Sequence, residues 1–234
     1  YGAERALNDT IRQGAASHQA TALSIDIRVQ AALEDELYKT AVAHQAKDAV
    51  GIITNVHTGE ILGIASYPTF DPNLAGKAGP EQLINHAAAS VYEMGSTFKV
   101  FTVAMGLDSG TATLASTFDA RQPVKIGGQT IHDYHAENKI MSVADIFIHS
   151  SNIGTTKLAL QAGAPTVQKY FNAFGLTRAT PVELAESARP ILPRNWNEND
   201  VASTSFAHAI SVSPLAVAAG MGAILNGGSY VPLT

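Results

Sequence analysis

Apolar residues recur at helical spacing through Val29, Ala32, Leu33 and Leu37, with polar residues between them and Asp26 ahead as a cap. The spacing predicts an amphipathic helix from residue 28 to about 47. The period then changes. Residues 49–56 and 61–67 are β-rich apolar runs separated by His57-Thr58-Gly59-Glu60, which predicts a hairpin with a glycine-containing loop. Pro68-Thr69-Phe70-Asp71-Pro72-Asn73 reads as a loop, because each proline biases its predecessor away from helix. From Ser96 onward, Phe98, Val100, Phe101, Val103, Ala104 and Leu107 cover most of a helix surface, the signature of a helix buried on nearly all sides. A central buried helix beginning at Ser96 is expected.

The second half is helix-rich. Residues 111–129 are turn-rich, with an extended piece near 124–126. Ser142 reads as the cap of a helix through Val143, Ile146 and Phe147 that ends near His149. Two more helices are predicted, at about 153–161 closing at Gly163 and at 166–174 closing at Gly175. The least polar stretch, 214–225, is shorter than the roughly 20 residues that cross a hydrocarbon core; it reads as a buried helix. Residues 1–20 read as a short helix and a polar linker (14–19), the remnant of a larger N-terminal region. With no repeat of solenoid period, residues 21–234 are expected to form one α+β domain of few strands and many helices.

Composition narrows the function. Apolar residues make up 46% of the chain and charged residues 15%, which fits a filled core. The formal charge is −5 and basic side chains do not cluster, so nucleic acid is not an expected partner. The absence of cysteine excludes thiol nucleophiles and Cys-ligated zinc or iron–sulfur centres. Residues 1–10 are charged and mixed, without the pattern of a secretory signal.

Several motifs fail. Gly220-x-Gly222 lacks the third glycine of a dinucleotide fingerprint, Gly76-Lys77 lacks the rest of a phosphate loop, and no HExxH occurs. Ser229 lacks the final glycine of a nucleophile elbow. His132, Asp133, His135 and Glu137 place four potential metal ligands within six residues, but no helical i, i+4 geometry organises them and such residues are common in surface loops. No metal or cofactor is predicted.

One constellation survives. Of sixteen serines, only Ser96 has lysine three residues later (Lys99), and only Ser150 has asparagine two residues later (Asn152). At the start of an apolar helix, positions i and i+3 share a face, and the backbone N–H groups favour a developing oxyanion. A serine hydroxyl is a poor nucleophile until a base takes its proton, and a lysine serves only if burial populates its neutral amine. The bland alternatives are a snorkelling surface lysine, an ordinary helix cap at Ser96, and an ordinary turn at residues 150–152.

These segments resemble a known family. Val91-Tyr92-Glu93-Met94-Gly95-Ser96-Thr97-Phe98-Lys99 and Ser150-Ser151-Asn152-Ile153-Gly154 are similar to the SxxK and SxN motifs of the penicillin-binding transpeptidases. So are Leu23-Ser24-Ile25-Asp26, residues 58–62, residues 68–73 and the stretch from Ile210 to Gly228, all in the family's order. The resemblance spans roughly residues 21–234. It implies a penicillin-binding/serine β-lactamase-like fold, with an antiparallel sheet packed with helices. It also implies a class B D,D-transpeptidase that cross-links peptidoglycan stem peptides and is acylated by β-lactams. Ser96 would be the nucleophile, Lys99 its base, Ser150 a proton relay, and Asn152 a holder of the substrate amide; Ser96, Ser150 and Asn152 would all touch substrate.

The Gly128 to His135 segment resembles the division-specific septal subgroup, and the resemblance makes the His132 to Glu137 cluster a loop bordering the site rather than a metal site. It further implies partners in the division or elongation machinery and a place on the extracytoplasmic (periplasmic) side of the membrane, anchored by an N-terminal segment. The family's third motif, Lys-Ser/Thr-Gly, occurs nowhere in the chain. Further residues or another chain would supply that strand, or the piece is inactive as it stands. Competing readings within the fold are a D,D-carboxypeptidase or a serine β-lactamase; a competing reading of another class is a non-catalytic scaffold or β-lactam sensor.

Overall fold

A computed structural model of the chain describes residues 2–16 and 20–234. In chain order its elements are α1 (Gly2–Ala6), α2 (Asn8–Ala16), α3 (Ile27–Ala43), β1 (Ala49–Thr54), β2 (Ile61–Tyr67), α4 (His86–Ala89), α5 (Lys99–Asp108), β3 (Thr117–Asp119), β4 (Val124–Ile126), β5 (Gln129–Ile131), β6 (Ile140–Ser142), α6 (Val143–Ile148), α7 (Asn152–Ala162), α8 (Ala164–Ala173), α9 (Glu198–Thr204) and α10 (Pro214–Leu225). The strands form three antiparallel pairs, β1–β2, β3–β6 and β4–β5. The chain divides into two compact units, the first made of Tyr1–Val91, Arg178–Arg189 and Ser213–Thr234, the second of Tyr92–Thr177 and Pro190–Val212. Residues 14–16 continue α2 rather than beginning a linker, and the rest of that predicted linker lies outside the described residues.

In the first unit, α3 lies on the β1–β2 hairpin. Leu33 comes so near the sheet that a Cβ on Gly51 would meet its Cδ1 at 2.6 Å, so a strand glycine there permits the close approach. The same helix seals one sheet edge. The Gln30 side-chain amide donates to Ile64 O (2.8 Å) and its carbonyl accepts from Ile64 N–H (2.8 Å), while Asp26 N–H donates to Leu62 O. α3 ends four residues earlier than the spacing predicts. Gln45 turns left-handed (φ 51°), and Ala46 N–H closes back on Ala41 O. Ile61, Ala87, Ala88, Leu215, Ala219 and Leu233 form the core of this unit; α10 is the buried helix expected over 214–225. Among the described residues no helix is long and apolar enough to cross a membrane.

In the second unit, Val103, Phe118, Met141, Val143, Ile146 and Leu158 form one core cluster, and Ile131, Ala202 and Phe206 another. Two close approaches lock α7 in place. A Cβ on Gly106 of α5 would meet Leu158 at 2.7 Å, and one on Gly154 would meet Ile146 of α6 at 2.4 Å. The three-residue strands β3, β5 and β6 are too short to show an alternating pattern. α9 was not expected, although Asn197 and Asp200 form a reciprocal capping box at its start.

Candidate active site

All four candidate residues lie in the second unit. The helix expected from Ser96 begins as a tighter coil: residues Gly95–Phe98 form a 3-10 turn and α5 follows from Lys99. Gly95 makes this entry possible with a left-handed backbone (φ 55°). Lys99 N–H donates to Ser96 O, and in 3-10 geometry side chains at i and i+3 eclipse, so the SxxK spacing stacks hydroxyl and amine on one edge. Between them Phe98 is fully buried, with its ring edge-on to Phe101 (5.2 Å) and Phe171 (5.1 Å). Burial of a side chain that size stabilises by about 2–3 kcal/mol and pins the turn. Ser96 is exposed, and its Oγ has no hydrogen-bond partner among the described residues.

Lys99 is not a snorkelling surface lysine. It is 2% exposed, and its Nζ donates to Ser150 O (2.5 Å) and Ser150 Oγ (2.9 Å). Neither acceptor is an anion. Burial therefore pushes the Lys99 pKa down to about 8, and the negative charge of Asp133 only partly opposes the fall.

Residues 150–152 are a junction in which each position has one structural duty. Ser150 ends α6: its N–H reaches Phe147 O (3.3 Å) while Ser151 N–H reaches Ile146 O (3.0 Å), the paired closure that places the intervening residue in the left-handed region. Glycine usually fills that slot. Here Ser150 does, at φ 54°, and the strain of order 1 kcal/mol accompanies the delivery of both its carbonyl and its hydroxyl to Lys99. Ser151 is buried and caps α7, accepting from Gly154 N–H (2.9 Å). Asn152 is the first residue of α7, and its Nδ2 donates to His132 O (2.9 Å).

Asp133 holds this junction from 18 residues away. Its Oδ2 accepts from Ser151 Oγ (2.8 Å) and its Oδ1 from Ile153 N–H (2.9 Å), a carboxylate at a helix start. Glu137 pairs with Lys139 (3.3 Å) and lies 3.5 Å from His149 Nδ1. Tyr134 is 91% exposed with the His135 ring edge-on to it. The carboxylates of the 132–137 segment thus engage hydroxyl, amide and basic groups, and among the described residues no three His, Asp or Glu side chains are arranged to hold a metal.

The structure therefore joins Lys99 directly to Ser150 and places Ser96 one turn before the lysine. No hydrogen bond links Ser96 to Lys99, Ser150 or Asn152 among the described residues. Sequence reasoning missed Ser151 and Asp133 as supports. A serine ahead of an apolar run is a cap signal that could have found Ser151; Asp133 has no local signal.

The family model for the penicillin-binding protein transpeptidase domain matches residues 49–234. The chain belongs to this family. Over all 234 residues the transpeptidase-family chain is 59% identical to "Probable peptidoglycan D,D-transpeptidase FtsI" of Caulobacter vibrioides, covering 40% of that protein. It is 30% identical to the Escherichia coli K12 "Peptidoglycan D,D-transpeptidase FtsI", again covering 100% of this chain and 40% of the relative. The chain thus spans about two fifths of the length of these curated relatives. Among solved structures it resembles the TP domain of Burkholderia pseudomallei penicillin-binding protein 3, with a TM-score of 0.81 and 27% identity over 91% of this chain and 60% of the other. The mixed helix-and-sheet architecture is that of the penicillin-binding transpeptidase fold.

Proposed function

We propose that this chain performs the acyl transfer of a peptidoglycan D,D-transpeptidase, in septal cell-wall synthesis. Ser96 Oγ attacks the carbonyl between the two terminal D-alanines of a stem peptide and its proton passes to neutral Lys99 Nζ. The Ser96 N–H donates to the oxyanion. The C–N bond then breaks, the departing D-alanine amine takes a proton relayed from Lys99 through Ser150, and an ester remains on Ser96. Asn152 holds the amide of the substrate. The amine of a second stem peptide attacks that ester, giving up a proton to the same relay, which releases Ser96 with the cross-link formed. A β-lactam enters the first half of this cycle and stays.

The observation that carries the reading is Lys99, a buried amine whose acceptors are a neutral carbonyl and a hydroxyl. A structural lysine would sit against a carboxylate or in water. At pH 7 a pKa of about 8 leaves roughly a tenth of Lys99 unprotonated, against about 0.03% for an ordinary lysine. That population is what a base requires. The proposed setting is the extracytoplasmic side of the membrane, with an N-terminal anchor and division proteins as partners. These rest on likeness to the septal relatives.

The test is intact mass of the full-length protein after incubation with benzylpenicillin, followed by peptide mapping. One penicilloyl group on Ser96 that persists for many minutes is expected. No adduct, or an adduct on another residue, overturns the proposal; an adduct that forms on Ser96 and is lost within seconds makes the protein a β-lactamase instead.

A further inference from the structure

The stretch of the second unit that carries Ser96 and Lys99 is held at both ends by one short loop. Thr102, three residues after Lys99 and fully buried in α5, donates its hydroxyl to Ser205 O (2.8 Å). Glu93, three residues before Ser96, accepts from Ala209 N–H through Oε1 (3.2 Å). Both partners belong to residues 205–209, the turn that follows α9. This loop is itself tightly set. Ala207 N–H donates to Thr204 O (3.1 Å) and His208 N–H to Ser203 O (2.9 Å), which closes the end of α9. Beyond the loop, Val212 exchanges both backbone hydrogen bonds with Tyr92 (3.0 Å each), and Ser211 does the same with Ile191 (2.9 and 3.0 Å).

Two alanines of the loop are left-handed, Ala207 at φ 65° and Ala209 at φ 64°, where a Cβ crowds its own backbone. Such a backbone persists only where its surroundings over-determine it. Glycine would hold the same angles without strain but would leave the loop freer to move. The entry to the 3-10 turn is the opposite case: it has no side-chain cap and passes through left-handed Gly95, the residue type with the widest backbone freedom. A rigid loop thus braces a pliable one. Given the acyl transfer proposed above, on which this rests, we infer that residues 205–209 act as a splint for the reacting pair. Glu93 and Thr102 are its positioning residues, fixing Ser96 Oγ against Lys99 Nζ for attack on the stem peptide. Glu93 serves as a hydrogen-bond acceptor for a neutral N–H, so its charge is dispensable. A misplacement of about 1 Å slows the chemical step by up to about 10²-fold.

The test is rapid-mixing acylation of the full-length protein over a range of benzylpenicillin concentrations, resolved into the dissociation constant of the first complex and the first-order rate of ester formation. Glu93→Ala is expected to lower that rate by about tenfold or more, with the dissociation constant within about twofold and the thermal midpoint within a few degrees. Glu93→Gln keeps an acceptor oxygen and is expected to restore the rate to within about threefold of the unaltered protein. Thr102→Val and Thr102→Ser should repeat this contrast between loss and rescue. Equal losses in Glu93→Ala and Glu93→Gln, a loss carried by the dissociation constant instead of the rate, or an unchanged rate in both Glu93→Ala and Thr102→Val overturns the splint. In each of these cases a Ser96 adduct on the unaltered protein leaves the acyl transfer standing; no Ser96 adduct there overturns both. Should Thr102→Val fail to fold, the two Glu93 variants decide the question.

Discussion

Ser96 and Ser151 both stand at the beginning of a buried helix, yet their hydroxyls have opposite fates. Ser151 Oγ accepts from Gly154 N–H and donates to Asp133, so it is saturated and buried. Ser96 sits inside a 3-10 turn whose entry has no side-chain cap, on a left-handed glycine, and its hydroxyl is exposed and unclaimed. On the proposed mechanism this is the difference between a structural serine and a reactive one. A cap hydroxyl is consumed by the helix it starts, whereas the proposed nucleophile stands in a tighter first turn, outside the cap position.

The sharpest way to break this contrast is to exchange the losses. Ser96→Ala is expected to abolish penicillin acylation, a loss beyond about 10⁴-fold, with the thermal midpoint unchanged, read by mass spectrometry and circular dichroism. Next in size, Lys99→Met should slow acylation by about 10³-fold or more and raise stability. The sign follows from the depressed pKa. Below about pH 8 the lysine is protonated in both folded and unfolded chains, and the folded chain bears the cost of the buried charge. That cost, about 3 kcal/mol before the lost bonds to Ser150 are counted, fades as pH rises from 8 towards 10.5. A midpoint that falls in Lys99→Met at pH 7 would show that the bonds to Ser150 outweigh desolvation.

A smaller effect is the pH profile of acylation itself. With the neutral amine as the proposed base, the second-order rate should rise about tenfold per pH unit up to about 8 and then level. Asp133→Asn removes the charge that holds the lysine pKa up, so the bend in that profile should move to lower pH. The smallest expected effect on chemistry is that of Ser151→Ala. It should lose about 1–2 kcal/mol of stability with the cap, measured by urea denaturation, and slow acylation by less than about tenfold. If Ser151→Ala instead abolishes acylation with the fold intact, the distinction between the two serines fails.

Much of this was legible in the chain because the signals are local. The hairpin of β1 and β2, the cap at Ser142, the stop at Gly163 and the buried helix from Pro214 each follow from a period change or a punctuating residue. What was not legible depends on contacts between distant residues. The turn at Ser96 looks like plain α-helix in sequence; the structure shows a 3-10 turn there, with Phe98 packed against Phe171 from a distant part of the unit. Ser150 reads as an ordinary turn residue, and only the closure of α6 shows it in the place of a glycine. Asp133 is one of four neighbouring polar residues in sequence. Its function comes from the β4–β5 hairpin, which leads into it and brings it to the start of α7.

Gln30 has a consequence for how this molecule can grow. Its carboxamide offers Ile64 one donor and one acceptor, as a peptide unit of a neighbouring strand would, and so acts as a counterfeit peptide along the outer flank of β2. A visiting strand finds Ile64 and the Leu62 carbonyl on that flank already satisfied. The backbone of β1, by contrast, makes no hydrogen bond on its far side to any described residue. Addition of a further strand is thereby favoured at β1, and replacing Gln30 by leucine would free the Ile64 backbone on the other margin.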